Sequence, residues 1–338
     1  MKKTFCITGV SGQDGSYAAE LLINLGINVV GLTRDKKKYL NLKNINENKK
    51  FLLVSTDYSE ESLKNIIYKY KISHILNFAG QSYVSKSWEL IEETITSQSL
   101  IVSRIINIIQ KANWYIKFIN SCSAEIYKES FKPLNESSEL SPCNPYGCAQ
   151  LLSYCLIKSI RENSNIWACS AIFFPHESSR RGENFLFNKL IVQAERIIRN
   201  ENDFISIGND FVVRDWGFAI EYVYYIVLLI LNDEPIDLCF CSGKGTSVKD
   251  LAKIICSEYE LNFKDFIKLD ESLSRSYESD YIVGDNSLLI KTLQIEPPSK
   301  IKKILSLIIN NRKSLNFKEK KIDTVSDFLT PNQINRLK

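Results

Sequence analysis

A regular alternation along the N-terminal half limits most severely what this chain can fold into. Short apolar runs at Thr4–Val10, Asn28–Thr33, Phe51–Ser55, His74–Ala79, Ile116–Ser121 and Ala168–Phe174 are separated by stretches such as SYAAELLINLG, SEESLKNIIYKY, SLIVSRIINIIQKA and YGCAQLLSYCLIKSIREN. In those stretches apolar residues recur at three- and four-residue spacing, the period of a helix with one buried face. Strands that alternate with helices pair in parallel through crossovers, and the helices cover both faces of the sheet. The pattern predicts an α/β fold built on a doubly wound parallel sheet. After about Phe174 the alternation gives way to loop-rich and helical segments. These include a short apolar run at Asp237–Cys241 and a helix opening at GTSVKDLAKIICSEY, with Thr246 or Ser247 as its N-cap. This organisation predicts a Rossmann core over residues 1–174, rejoined by later segments, and a smaller lobe drawn mainly from residues 175–338. From Arg312 onward the sequence is polar and reads as a loosely attached tail.

The first apolar run leads directly into TGVSGQDGSYAAELL, which places Gly9, Gly12 and Gly15 between strand and helix. Any tight turn could hold three glycines, but this spacing at a strand-to-helix junction suits a dinucleotide. One glycine makes the turn, one lets the backbone approach a pyrophosphate, and one lets the helix pack close to the sheet. Gln13 and Asp14 lie inside the same turn and join it as cofactor-binding candidates. The end of the second strand selects the cofactor. Thr33 stands where an acidic residue would hold the ribose hydroxyls of NAD, and Arg34 follows, which favours the 2′-phosphate of NADP over NAD. Asp35 works against that preference. Asp57, after the third strand, is placed to meet the adenine.

Other features exclude alternatives. The net charge of +4 is spread along the chain, and its one dense run, Lys36 to Lys38, is too short to argue for nucleic acid. The nine cysteines form no CxxC pair, and only two histidines, His74 and His176, are present, so no metal site is expected. Free thiols in a reducing compartment are the better reading. The longest apolar stretch, YVYYIVLLILN from Tyr222, is too short to span a bilayer and fits a buried helix. MKKTFCITGVSG reads as a first strand rather than a leader. A cytoplasmic protein with no membrane or nucleic-acid partner is expected.

The stretches ITGVSGQDGSYAAELL, NFAGQSYVSKSW, SCSAEIY, NPYG, FFPHESSRRGENF, IGNDFVVRDWGFAIEYV and RSYESD run from residue 7 to about residue 280. Together they resemble the extended short-chain dehydrogenase/reductases and, within them, the GDP-mannose 4,6-dehydratase family. The resemblance implies that Tyr146 takes the proton of the sugar C4 hydroxyl, that Ser123 bonds the C4 oxygen, and that Glu125 removes the C5 proton. It adds Ala79, His176 and Arg181 to the cofactor site, His176 as a loop-ordering group near the nicotinamide. It implies that Ser82, Asn184, Lys189, Arg214, Arg275 and Glu278 hold a GDP-sugar, and that the protein is a homo-oligomer, dimer or tetramer. Arg180 and Arg181 also fit a structural or subunit-interface pair. The chemistry is coherent: oxidation at C4 acidifies the C5 hydrogen, a carboxylate removes it, and water leaves from C6.

Three positions depart from the family pattern. Gln150 replaces a lysine that bonds the nicotinamide ribose and acidifies the tyrosine, Pro175 replaces an asparagine, and Lys128 replaces a glycine. Gln150 is the most consequential. One helical turn beyond Tyr146, its amide can bond the phenol and the ribose but brings no positive charge. Losing a cation there raises a phenol pKa by about one to three units. The sequence therefore predicts an NADP-dependent nucleotide-sugar 4,6-dehydratase, a lyase, acting on GDP-mannose or a related GDP-heptose, slowed at neutral pH. Two other readings stay open: C4 oxidation or epimerisation on the same scaffold, and a catalytically impaired nucleotide-sugar-binding protein.

Overall fold

The computed structural model describes residues 3–35, 40–201, 204–270, 279–313 and 324–337. Six strands of the N-terminal half, β1 (Thr4–Thr8), β2 (Asn28–Thr33), β3 (Phe51–Ser55), β4 (His74–Asn77), β5 (Lys117–Ser123) and β6 (Ala168–Phe173), form a parallel sheet. A seventh parallel strand, Leu238–Phe240, joins beside β6 and gives the order Leu238–Phe240, β6, β5, β4, β1, β2, β3. The order reverses between β1 and β4, and a crevice opens there beyond the carboxyl ends of the strands. A buried polar row crosses this point. Thr8 donates to Asn77 at 2.5 Å, Asn77 donates to Asn120 at 2.7 Å, and the backbone N–H groups of Phe78 and Ala79 donate to the Thr8 hydroxyl at 3.1 and 3.0 Å.

Helices α1 (Gln13–Asn24), α2 (Glu60–Lys69), α3 (Ile91–Ile95), α4 (Ile101–Lys111), α5 (Pro145–Asn163), α6 (Leu186–Ile198) and α7 (Ala219–Leu231) account for the periodic stretches. Between α3 and α4 the helix widens into a π turn over Thr96–Leu100. On one face of the sheet α1, with its Tyr17, and α7 pack over Phe5 and Ile7; on the other, isoleucines of α2 and α4 pack with Phe118. The apolar run from Tyr222 lies in α7 and is buried nearly all round, as a helix sandwiched inside a fold must be.

A three-stranded sheet, Gly245–Ser247, Val213–Asp215 and Tyr281–Ile282, lies beyond the main one. Asp215 ties it together by accepting from the backbones of Ser242, Gly243 and Gly284. Ser247 rather than Thr246 caps the helix that follows, accepting from the Asp250 N–H. The loose tail expected from Arg312 onward is not what the described residues show: Val325, Leu329 and Leu337 are buried. Arg312 lies in the last turn of a helix (Ile301–Lys313) and its guanidinium forks onto Glu195 at 2.6 and 2.5 Å, a paired bond that the polar composition hides. All nine cysteines are free thiols. Among the described residues no cluster of His, Cys, Asp or Glu could hold a metal ion, and no helix is long and apolar enough to cross a membrane.

Candidate active site

Two adjoining clefts lie at the reversal point. The larger, about 730 Å³, is floored by the turn between β1 and α1 and walled by Thr33, Arg34, Asp57 and Ala79. The main chain shapes it. Gly9 adopts a φ of +61°, and a side chain there would lie 2.7 Å from the carbonyl oxygen of Phe78. A Cβ on Gly15 would lie 2.5 Å from the Gly9 carbonyl. No side chain caps α1, so its N-terminal dipole faces the cleft. Tyr58, itself at a positive φ, locks the turn from below: its hydroxyl accepts from the Gly9 N–H at 3.2 Å and donates to the Leu32 carbonyl at 3.0 Å. Arg34 is exposed and 3.6 Å from Glu93. Asp57 turns one oxygen to the N–H and hydroxyl of Ser59, which hold its carboxyl below the usual range.

The smaller cleft, about 180 Å³, is lined by Ser123, Glu125, Tyr146, Gln150, Pro175 and His176. It shares Asp14, Phe78, Ala79, Gly80, Ser82 and Arg181 with the first. Ser123 ends β5, Glu125 sits in the short turn Ala124–Ile126, and Tyr146 lies in the first turn of α5. Asn144 brings them into register. Its side-chain oxygen accepts from the Gly147 N–H at 2.8 Å and caps α5, while its Nδ2 donates to Glu125 at 2.8 Å. A side chain on Gly147 would collide with the Glu125 carbonyl, so glycine lets α5 dock on the turn. The Tyr146 oxygen accepts from Gln150 Nε2 at 3.2 Å. Burial pushes this phenol up to about 12, against the hydrogen bonds from Ser123 and Gln150 that lower it.

The GQDGS and HESSRRG segments grip each other. Gln13 donates to the His176 carbonyl at 3.3 Å and accepts from the Ser178 hydroxyl at 2.8 Å. Both ring nitrogens of His176 face acceptors, the Phe174 carbonyl at 2.9 Å and Asp14 at 3.0 Å. The ring thus ties its loop to the start of α1. Burial opposes ionisation of Asp14, but the charges of His176 and Arg181 and the His176 bond hold it below its ordinary value. Arg180 is buried against Glu20 and the Ser16 hydroxyl and stacks over Tyr17, which separates the two arginines: Arg180 is structural, whereas Arg181 reaches both clefts.

The expected sugar-nucleotide residues are less gathered. Ser82 lines both clefts. Asn184 is exposed, Lys189 is half-buried on α6, and Arg214 is buried in register with Ile282, a residue of the smaller cleft. These three do not line either cleft. Arg275 and Glu278 lie outside the described residues, as do Lys36 to Lys38. Three residues of the site were not singled out by sequence: Tyr58, Asn144 and Gln98, whose side chain accepts from Gln150 Nε2 at 2.9 Å. Asn144 carried a signal, since an asparagine before a proline reads as an N-cap. The other two act through the folded chain and carried none.

A parallel sheet, a glycine turn at its reversal point and a Ser–Tyr pair at the next crevice define an extended short-chain dehydrogenase/reductase. The sequence model of the GDP-mannose 4,6 dehydratase family matches residues 6–308, and the chain belongs to that family. It is 28% identical over 333 residues to GDP-mannose 4,6 dehydratase 2 of Arabidopsis thaliana, covering 94% of this chain and 89% of the plant protein. With the Drosophila melanogaster GDP-mannose 4,6 dehydratase it shares 31% over 263 residues, 74% of this chain and 67% of the fly protein. Among solved structures, UDP-glucuronic acid 4-epimerase from Bacillus cereus, in complex with UDP-glucuronic acid and NAD, superposes with a TM-score of 0.82 at 18% identity. That match covers 92% of this chain and 99% of the epimerase.

Proposed function

We propose that the protein is an NADP-dependent nucleotide-sugar 4,6-dehydratase that converts GDP-mannose or a related GDP-heptose to its 4-keto-6-deoxy derivative. One observation carries this reading: Asn144 holds the Glu125 carboxylate in the same corner as Ser123 and Tyr146. Oxidation or epimerisation at C4 needs only the tyrosine and serine. An oriented carboxylate beside them serves the removal of a C5 proton.

The glycine turn fits a dinucleotide, because only glycine at positions 9 and 15 lets the turn close against the backbone of Phe78 and Val10 and hold the uncapped start of α1 at the cleft, where a pyrophosphate would meet free N–H groups. Gly12 to Gly15 would hold the pyrophosphate, Asp57 the adenosine, and Arg34 the 2′-phosphate. Bound nicotinamide supplies a reversible hydride sink, which makes the overall reaction redox-neutral. In this reading Ser123 bonds the C4 oxygen, Tyr146 takes its proton, and Glu125 takes the C5 proton before water departs from C6. Gln150 offers the phenolate a hydrogen bond but no charge, so turnover rises with pH. Trp88, Ile91, Ile95 and Leu152 line one exposed apolar groove across α3 and α5, which supports association with a second copy.

The test is mass spectrometry of GDP-mannose and related GDP-sugars incubated with protein and NADP⁺ at neutral and alkaline pH. Loss of one water, faster at high pH, is expected. A C4 epimer that keeps its C6 hydroxyl, or binding without turnover, would overturn the reading.

A further inference from the structure

The π turn between α3 and α4 places Gln98 against α5. Such turns inside helices are rare and recur at functional sites. The orientation of the Gln98 amide is set from behind. The Gln81 backbone carbonyl can only accept, and Gln98 Nε2 donates to it at 2.6 Å. Gln98 Oε1 therefore faces the other way, where it accepts from Gln150 Nε2 at 2.9 Å. The same nitrogen donates to the Tyr146 oxygen at 3.2 Å. Gln150 Oε1 is left buried with no protein partner, on a residue that lines the smaller cleft.

Reversing the Gln150 amide would set two carbonyl oxygens against each other and turn an acceptor toward Tyr146. An acceptor beside a phenol favours its neutral O–H form, whereas a donor favours the phenolate. The direction of Gln150's influence on Tyr146 thus depends on which end of the amide points there. Gln98 is held firmly enough to decide it. Its backbone carbonyl accepts from the Ser153 hydroxyl at 2.9 Å, and the Ser99 hydroxyl donates to the Ala149 carbonyl at 2.8 Å. A side chain on Gly80 would collide with the Gln98 amide, so that neighbour is tailored to it.

We propose that Gln98 is a positioning residue that locks the Gln150 amide nitrogen onto Tyr146, so that fixed orientation replaces part of what a fixed cation would do. The proposal deepens the functional reading above and rests on Tyr146 being the group that takes the C4 proton. Gln98→Met keeps the length of the side chain and removes both polar ends. Its acidic limb of kcat against pH is expected to move up by about one unit, with KM for GDP-mannose within about twofold. In a Gln150→Lys background the same change should leave the limb in place, because an ammonium has no wrong end. An unmoved limb, or an equal shift in both backgrounds as general disturbance of the helix would give, overturns the proposal.

A second readout needs no turnover. Fluorotyrosine installed at position 146 is titrated by ¹⁹F NMR, and Gln98→Met should raise its titration midpoint by about one unit. Wild-type protein that dehydrates no GDP-sugar sinks the functional reading, and this titration still decides the relay. A protein that dehydrates GDP-mannose with identical ¹⁹F midpoints sinks the relay alone. Gln98→Leu takes the place of the methionine variant should that one not fold.

Discussion

The glycine turn after β1 and the Ser123–Glu125–Tyr146 corner between β5 and α5 border clefts that share Asp14 and Arg181, yet they are made differently. The first is shaped by main chain: absent Cβ atoms, an uncapped helix end and a positive φ at Gly9. The second is shaped by side chains that orient one another, Asn144 on Glu125 and Gln98 on Gln150 on Tyr146. A main-chain site fails when atoms are added. A side-chain site fails when a partner is removed, and the damage passes along the hydrogen bonds.

Tyr146→Phe breaks this contrast most sharply. It removes the proton acceptor proposed above and leaves the turn intact, so kcat should fall by roughly 10³-fold while dinucleotide affinity, read by calorimetry, holds. Gly15→Val is its mirror image. The added atoms push into the Gly9 carbonyl, and dinucleotide affinity should fall by roughly 100-fold, equivalent to about 2.7 kcal/mol.

Glu177, buried beside His176 and Arg181, gives a smaller effect with a pH signature. Burial pushes Glu177 up from 4.5 to about 7, although Arg181 and His176 lower it. The folded state therefore keeps a proton that the unfolded chain releases. Its contribution is intact below about pH 4.5 and is lost as pH rises toward about 7. Glu177→Gln should be more stable than wild type above pH 7 by about 3 kcal/mol and equal to it near pH 4, as urea unfolding at both values would reveal. Asn144→Ala should cost about 1 kcal/mol of stability and about tenfold in kcat. A loss of stability alone would mean that the cap matters and the bond to Glu125 does not.

The same contrast explains what could be read from sequence. The turn was legible because its requirements are local: apolar run, three glycines, helical period. The parallel sheet was legible for the same reason, strand by strand. The run at Asp237–Cys241 could be seen, but not that Leu238–Phe240 would pair with β6, because a parallel partner is chosen by the whole fold. Within the corner, Ser123, Glu125 and Tyr146 were legible through family likeness, and Gln150 stood out by its departure. Gln98 was invisible because its importance lies in a π turn and in a carbonyl at Gln81 that no residue pattern announces. The partners of Arg180 and Arg312, Glu20 and Glu195, were likewise hidden by distance along the chain.

Glu20, on the helix that follows the glycine turn, is answered from two directions. One oxygen takes the Arg180 guanidinium, and the other accepts the N–H of Val325 at 2.8 Å across 305 residues of chain. During synthesis, then, the helix after the glycine turn exists long before the backbone N–H that answers this carboxylate oxygen, 305 residues downstream. The local motif supplies the turn, and a contact remote in sequence completes the surroundings of its helix.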